Sequence, residues 1–231
     1  MTEGYYRIHT LALGPVALFK TSTGHLERII MKTSEALKLV GGLSKPSKMP
    51  GWAYGLPAKE CKTGSKLVKV KGSTCEGCYA LKGCYVFKVV QEAQYRRLAS
   101  IKHELWTGAM ALLINSKKSK WFRWHDSGDV QDEAHLLKIF AVCRLTPGTR
   151  HWLPTREVKF LKLLDPEAVP GNLTIRISSH MIDQPPVKFW PWTSTVGSSG
   201  GTCPAPQNGN KCGPCRACWD RKVENIQYHE H

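Results

Sequence analysis

The sequence predicts an α/β fold built from repeated strand–helix units. Strand-like segments lie at 120–125, 151–155 and 173–177, and the first two are each followed by a polar loop and then by apolar residues at helical spacing. Strands that alternate with helices pair in parallel through right-handed crossovers. We therefore expect a (βα) repeat scaffold, either a partial or complete TIM-like barrel or an open sheet, with cysteine-rich metal-binding loops.

The segment before the first of these strands is the most irregular. Residues 41–66 are rich in Gly, Pro, Ser and Lys and predict a loop. A short β-rich piece at 67–70 is expected to run into the CEGC turn, and a long helical stretch at about 86–114 follows it. If the turn follows a strand, it lies at the same edge of the sheet as the later loops.

Two helices are expected after the next two strands. The first has Asp129 as its N-cap and Asp132 in its first turn, where the helix dipole favours negative charge. The second is a short helix at 158–164. We expect one domain at 43–219, preceded by an N-terminal arm at 1–42 and followed by a C-terminal tail at 220–231.

The composition points to an anionic partner. The chain of 231 residues carries a formal net charge of +15, which favours nucleic acid, a nucleotide or a small anionic ligand without choosing among them. Solvated lysine-rich loops are the simpler explanation of the same charge. The sequence has no run of about eighteen apolar residues and no signal-peptide pattern, so a cytoplasmic location and no membrane partner are expected.

The cysteines indicate metal binding rather than disulfides. There are nine of them, and cytosolic glutathione and thioredoxin keep structural thiols reduced. Near the C-terminus, a C-x2-C-x2-C run and a remote Cys-Pro resemble the ligand pattern of bacterial ferredoxin clusters. Four thiolates also suit a closed zinc site, which remains the alternative. This group consists of Cys203, Cys212, Cys215 and Cys218.

A second group of cysteines lies upstream. Cys75 and Cys78 form a C-x2-C turn, and Cys61 joins them by inference rather than by spacing. If Cys84 is also a ligand, the site is closed. If it is not, three thiolates on a 4Fe-4S cluster leave one iron free for a substrate or small ligand. The spacing leaves the role of Cys84 open.

Polar residues after three of the strands are the candidate catalytic groups. Loops that follow parallel strands gather at one edge of the sheet and form the site in such folds. Each of these residues also has an ordinary structural explanation, as a helix cap, a surface ion pair or a loop histidine. They are His125, Asp126, Arg156, Glu157 and His180.

The motifs GLPAKECKTGSK, CEGCYALKGCYVF, FRWHDSGDV, WLPTRE and TCPAPQNGNKCGPCRACW resemble the bacteriophage gene product 88 domain family over roughly residues 43–219. The resemblance implies a phage origin, the cytoplasm of an infected or lysogenic bacterium, and an iron–sulfur protein. The CYA tripeptide is also similar to phage relatives of the radical S-adenosylmethionine superfamily. S-adenosylmethionine as a cofactor is in doubt, because the C-x3-C-x2-C triplet and a Gly-Gly-Glu strand are missing.

Two functions follow from these observations. The first is an iron–sulfur protein with one or two 4Fe-4S clusters, whose three-cysteine cluster binds a small anionic ligand for redox or radical chemistry. The second is a non-catalytic binding protein. Closed zinc or iron–sulfur sites stabilise its fold, and its basic surface binds nucleic acid or a host protein. The sequence does not decide whether the protein is an enzyme, and it does not identify an electron donor.

Overall fold

The computed structural model describes residues 31–230 and, before them, only the backbone of three short strands. These strands form an antiparallel sheet in the order β1-β2-β3. They are β1 (Thr10–Leu11), β2 (Gly14–Lys20) and β3 (Leu26–Ile30).

The centre of the fold is a six-stranded parallel sheet whose strands follow one another in sequence order. This order is typical of a sheet wound in one direction, as in a (βα) barrel, whereas doubly wound sheets reverse their order. The predicted α/β class and parallel sheet are confirmed, and the six strands do not close on one another. The strands are β4 (Trp52–Tyr54), β5 (Trp121–Trp124), β6 (Arg150–Thr155), β7 (Leu173–Ser178), β8 (Thr193–Gly197) and β9 (Asn225–His229).

Helices and apolar side chains cover one face of this sheet. Tyr54, Trp106 and Trp124 are fully buried there. The Tyr54 hydroxyl donates a hydrogen bond to the Val40 carbonyl at 2.8 Å and accepts one from Trp106 Nε1 at 3.2 Å, so the polar atoms of these two buried side chains are paired. The helices are α1 (Thr33–Val40), α2 (Gly64–Leu67), α3 (Lys88–Ser100), α4 (Trp106–Ser116) and α5 (Glu133–Leu145). None of the helices that the structure describes has the length and apolar character needed to cross a bilayer.

The long helix expected at 86–114 is in fact two helices, α3 and α4. The main-chain carbonyls of Ile101 and His103 lie at the break and accept hydrogen bonds from Lys138 Nζ at 2.6 and 3.1 Å. Because a side chain from α5 satisfies these carbonyls, the chain can turn there without leaving them unpaired.

The prediction of a strand at 67–70 is wrong. Leu67 ends α2, and the strand that precedes the cysteine segment is β4, inside the stretch expected to be irregular. β4 is only three residues long and is flanked by Gly51 and Gly55. It is therefore too short to show the alternation of apolar and polar residues that identifies a strand in a sequence. The cysteines therefore follow a strand, but at the end of a longer loop.

Two helix predictions after the later strands are also corrected. Asp132 is the N-cap of α5, since its side chain accepts a hydrogen bond from the His135 amide at 2.7 Å. Asp129 lies before the helix and binds another loop. The helix expected at 158–164 is limited to a 3-10 turn at Val158–Phe160, a segment in which β-branched and aromatic residues lower helix propensity.

The predicted tail and arm contain regular structure. Residues 220–231 include β9, which pairs in parallel with β8 and is the last strand of the sheet. Within 1–42, α1 packs against α4, and β2 lies beside α4. Elements on both sides of 43–219 thus contact the elements within it. Of the C-terminal histidines, His231 lies outside the described residues.

The face of the sheet opposite the helices is covered by the C-terminal cysteine segment. A 3-10 turn at Ala217–Trp219 packs against β6 and β7. Trp219 Nε1 donates a hydrogen bond to the Phe122 carbonyl at 2.9 Å. Arg176, fully buried on β7, points its guanidinium at the carbonyls of this segment. The C-terminal cysteines are thus attached to the sheet itself.

Candidate metal centre

A cavity of about 270 Å³ lies at the carboxyl edge of the sheet, and three cysteines line it. Cys61, Cys75 and Cys78 come from the long segment between β4 and α3. The rest of the wall comes from the same segment, from Arg123 on β5 and Pro154 on β6, and from the loops that follow these two strands. The prediction that loops after several strands gather at one edge is therefore confirmed, and the upstream cysteine group lies at that edge.

Gly64 brings two of these thiols close to each other. The Sγ atoms of Cys61 and Cys75 each lie 3.6 Å from the position that a Cβ on Gly64 would occupy. Burial raises the pKa of both thiols, and the Arg156 guanidinium acts in the opposite direction on both. A positive group beside them favours the thiolate, the form that binds metals.

The three thiols line the cavity. Within the described residues, no three Cys, His, Asp or Glu side chains are arranged to hold a metal ion. Cys84 is exposed and is not part of the cavity wall. Cys143, on α5, is fully buried in the apolar core.

His125 has the most unusual environment in the wall. Its backbone is in the left-handed region at φ 55°, which is strained for a residue other than glycine. The side chain is 3% exposed, and among the residues that the structure describes neither ring nitrogen has a hydrogen-bond partner. Burial lowers the pKa of this imidazole, and the neighbouring His135 lowers it further. His125 is therefore a buried residue of the cavity wall whose surroundings disfavour the charged imidazolium.

The two aspartates of the same loop have different roles. Asp126 is buried and makes no hydrogen bond to His125, so these two candidate residues do not form an acid/base pair in this arrangement. Asp129 accepts hydrogen bonds from Thr155 Oγ1 at 2.6 Å and from the Arg156 amide at 2.8 Å. Burial raises the pKa of Asp129 to about 6. Asp129 therefore joins the loop after β5 to the loop after β6.

Arg156 and Glu157 do not pair with each other. Arg156 lines the cavity, and its Nε donates a hydrogen bond to Thr74 Oγ1 at 3.0 Å. Glu157 is 1% exposed and accepts hydrogen bonds from the amide and hydroxyl of Thr63 at 2.7 and 3.0 Å. Glu157 therefore holds the segment next to Cys61, whereas Arg156 presents positive charge to the cavity.

His180 lies behind the wall instead of in it. Its Nε2 is 3.2 Å from the Arg156 carbonyl, and its own carbonyl accepts a hydrogen bond from the Thr74 amide at 2.9 Å. These contacts tie the loop after β7 to the residue before Cys75. His180 thus braces the cysteine segment and is not among the residues that line the cavity.

We expect Glu157→Ala to destabilise the fold by about 1–3 kcal/mol, because it leaves the Thr63 amide without its acceptor. Chemical denaturation of the purified protein measures this change. Glu167→Ala is the matched control, since Glu167 is exposed and its loss is expected to change stability by less than about 0.5 kcal/mol. Equal stability of the two variants would contradict the bracing role of Glu157.

Gly128 is a position where a side chain is not tolerated. Its φ is 76°, and a Cβ there would lie 2.6 Å from Leu56 Cβ and 2.8 Å from the Leu56 carbonyl oxygen. We expect Gly128→Ala to lower the free energy of unfolding by about 2 kcal/mol or more. Gly148→Ala, where a Cβ meets nothing within 4 Å, is the control. A thermal melt of Gly128→Ala that matches this control would show that the loop relaxes freely.

The C-terminal cysteines form a separate group on the face of the sheet opposite the helices. The Cys203 amide donates to the Gln227 carbonyl at 3.0 Å, and Cys218 Sγ lies 3.2 Å from the Tyr228 hydroxyl. Cys212 and Cys215 form a turn in which the second amide donates to the first carbonyl at 3.1 Å. Burial raises the pKa of Cys212, and Cys203 and Cys215 raise it further.

The family model of gene product 88 matches residues 28–221. The chain belongs to the gene product 88 family. This membership confirms the resemblance and supports a bacteriophage origin, and both cysteine groups lie inside the matched region. No curated protein and no solved structure matches the chain. The resemblance to radical S-adenosylmethionine proteins receives no support from these comparisons.

Proposed function

We propose that this gene product 88 protein is an iron–sulfur protein. Cys61, Cys75 and Cys78 hold a 4Fe-4S cluster in the cavity at the carboxyl edge of the sheet, and one iron is left without a protein thiolate. The C-terminal cysteines hold a second cluster with four thiolates. The open iron binds a small anionic ligand. The observation that carries the proposal is that three thiols and an unpartnered buried histidine line one cavity.

The spacing of the three thiols supports a cluster over a single ion. Zinc draws all its thiolates to about 2.3 Å from one point. A 4Fe-4S cluster instead binds each thiolate at a different iron, which suits side chains placed around a cavity of about 270 Å³.

The charge of the cavity supports an anionic occupant. Arg156 and Arg123 both line it, and neither has a carboxylate oxygen within 4.0 Å in the part of the chain that the structure describes. An iron–sulfur cluster with thiolate ligands carries net negative charge, so it would compensate these guanidinium groups.

The size of the cavity limits the ligand. Sites for small molecules usually have volumes of about 300–1,000 Å³, and this cavity has about 270 Å³ before any cluster is placed in it. A nucleotide or S-adenosylmethionine is therefore disfavoured as the ligand of the open iron. A small anion next to Arg156 and His125 fits the remaining space and the charge.

A non-catalytic function is the second candidate, and the exposed lysines near the cavity favour it. Lys59, Lys62, Lys66, Lys69 and Lys71 all lie at the surface of the cysteine segment. A lysine-rich surface of this kind suits the phosphate backbone of a nucleic acid. In that function both metal sites would only stabilise the fold.

Metal and sulfide analysis of protein purified without oxygen tests the proposal. We expect about eight irons and about eight acid-labile sulfides per chain, with electron paramagnetic resonance signals of reduced 4Fe-4S clusters. Zinc without sulfide would contradict the proposal. That result, together with nucleic-acid binding that weakens steeply with salt, would establish the non-catalytic candidate.

A further inference from the structure

We propose that the surface around the mouth of the cavity binds single-stranded nucleic acid, with phosphates on exposed lysines and bases stacked on two exposed aromatic rings. The inference goes beyond the iron–sulfur proposal and does not depend on it, since it requires no metal in either cysteine group. It also goes beyond the lysine-rich surface of the second candidate, because it names the form of nucleic acid and the side chains that select this form.

The charge of this surface is strongly one-sided. From Lys59 to Lys82 the chain carries six lysines, all exposed, and only two glutamates. Within the described residues, none of the six has a carboxylate oxygen within 4.0 Å. Glu60 accepts a hydrogen bond from the Tyr95 hydroxyl at 3.3 Å, and Glu76 accepts one from the Gly72 amide at 2.7 Å. A polyanion is the partner that such a surface attracts. We call these residues the lysine surface: Lys59, Lys62, Lys66, Lys69, Lys71 and Lys82.

The lysine surface lies around a concave opening. Lys59 itself lines the cavity. Ser65 and Leu81 also line it, and each directly precedes a residue of the lysine surface. Arg123 and Arg156 add positive charge inside the wall. Because a concave site of one charge sign focuses the electrostatic field, phosphates are attracted most strongly to the mouth of the cavity.

Tyr79 presents a fixed aromatic ring at this mouth. It lines the cavity, and its side chain is 47% exposed. Its hydroxyl donates a hydrogen bond to the Asp126 carbonyl at 2.6 Å and accepts one from Arg123 Nη2 at 3.2 Å. The ring also packs edge-on against Tyr85, with 5.7 Å between ring centres. A base that stacks on this ring therefore costs little side-chain entropy.

Phe87 supplies a second ring on the same surface. It is 60% exposed and lies directly before α3. The 3-10 turns at Tyr79–Leu81 and Gly83–Val86 contact each other, and the second turn contacts α3. The two rings are therefore parts of one continuous surface. Since a phenylalanine exposed to this extent contributes little to the core, it is available to stack on a base.

The exposed rings favour a single strand over a duplex. In a duplex the faces of the bases are stacked on one another, so an aromatic side chain reaches them only after unstacking. A single strand presents these faces, and proteins that bind it combine a positive groove with aromatic rings. DNA and RNA share this chemistry.

An anionic membrane is the main competing partner. Val86 and Val89 are exposed beside Phe87, and apolar side chains among lysines also suit a lipid surface. The lysine surface, however, surrounds a concave opening. A flexible strand can follow this shape, whereas a planar bilayer cannot enter it. We therefore assign the surface to nucleic acid and include vesicles in the test.

Fluorescence anisotropy of the anaerobically purified full chain tests the inference. The probes are labelled oligothymidylate and oligouridylate of about 20 nucleotides, which exceeds the usual site size of a single-strand binding module, and a DNA duplex of the same length. We expect both single strands to bind more tightly than the duplex. We also expect their affinities to fall steeply as the salt concentration rises.

The double variant Lys62→Gln/Lys66→Gln tests the phosphate contacts. We expect the slope of log Kd against log salt concentration to be smaller by about 1.4, since each phosphate contact with a single strand accounts for about 0.7. Lys118→Gln/Lys120→Gln is the matched control. These two lysines are also exposed, but they precede β5 at the opposite edge of the sheet, so this variant should bind like the wild type.

Phe87→Ala tests the stacking contact. We expect it to weaken single-strand binding by about five-fold or more and to leave the salt slope unchanged. Phe87→Tyr keeps an aromatic ring and should keep the affinity. Phe189→Ala, at an exposed phenylalanine outside this surface, is the control and should bind like the wild type. Circular dichroism of each variant checks that the fold is intact.

Tighter binding of the duplex, or wild-type affinity in Phe87→Ala, would overturn the inference. So would binding to phosphatidylglycerol vesicles without binding to either oligonucleotide, which would assign the surface to a membrane. Absence of binding to every probe would show that the lysines are only solvated. The iron content of the same preparation tests the proposed function separately. A protein that binds the single strands but lacks iron would contradict only the iron–sulfur proposal.

Discussion

Replacing Cys75 with alanine is expected to remove about half of the bound iron and sulfide, because it would delete one of the three thiolates that we propose for the cavity cluster. Cys75 is 6% exposed, and its thiol shares the space beside Gly64 with that of Cys61. Alanine is small and apolar, so the fold should tolerate the change. Iron and sulfide content of anaerobically purified protein measures the loss.

Cys84→Ala is the matched control for this prediction. Cys84 belongs to the same segment but is exposed and does not line the cavity. The control should keep about eight irons per chain. Loss of iron in Cys84→Ala would show that the site has four thiolates and no open iron. Full iron in Cys75→Ala would exclude the cavity as the cluster site.

The second large effect is expected from Arg176→Met. Arg176 is fully buried, and its guanidinium lies within hydrogen-bonding distance of six main-chain carbonyls. Five of these carbonyls belong to the segment at 217–224, which includes Cys218. Methionine leaves them without a donor, and we expect a loss of about 3 kcal/mol or more in the free energy of unfolding.

Denaturant unfolding of the Arg176→Met variant checks this value, with the exposed Arg150→Met as the control. The C-terminal iron should also be lost before the rest of the fold, since Arg176 holds the loop that carries Cys218. A variant as stable as the control would mean that water or another side chain replaces the guanidinium among these carbonyls.

The sequence was most informative where side chains follow a regular period. The strands at 121–124, 150–155 and 173–178 match their predicted positions closely. Their apolar residues alternate or cluster as buried parallel strands do. From those strands the gathering of the polar loops at one edge follows, because parallel strands end on the same side.

The sequence was least informative where tertiary contacts replace local pattern. β4 is three residues long, and β9 lies in what composition alone makes a tail. Both are edge strands defined by their neighbours rather than by their own sequence. The break between α3 and α4 depends on a lysine from α5, which no local signal reveals.

In the candidate site, too, local sequence predicted some features, whereas others depend on tertiary contacts. The C-x2-C turn placed Cys75 and Cys78 together, but the proximity of Cys61 depends on the fold of the segment around Gly64. Arg123 was missed as a member of the site. The sequence feature that could have identified it is an arginine inside an aromatic strand, WFRW. A charged side chain in such a strand needs a partner on the face of the sheet opposite the helices.

The measurement that tests the proposed function most directly is the response of the proposed cavity cluster to a small anionic ligand. Carbon-13 cyanide would be added to the reduced protein, and electron–nuclear double resonance would detect coupling between the carbon nucleus and the cluster. We predict a strong carbon-13 coupling on one cluster, which Cys75→Ala abolishes. Intact clusters without any carbon-13 coupling would contradict an open iron in the cavity.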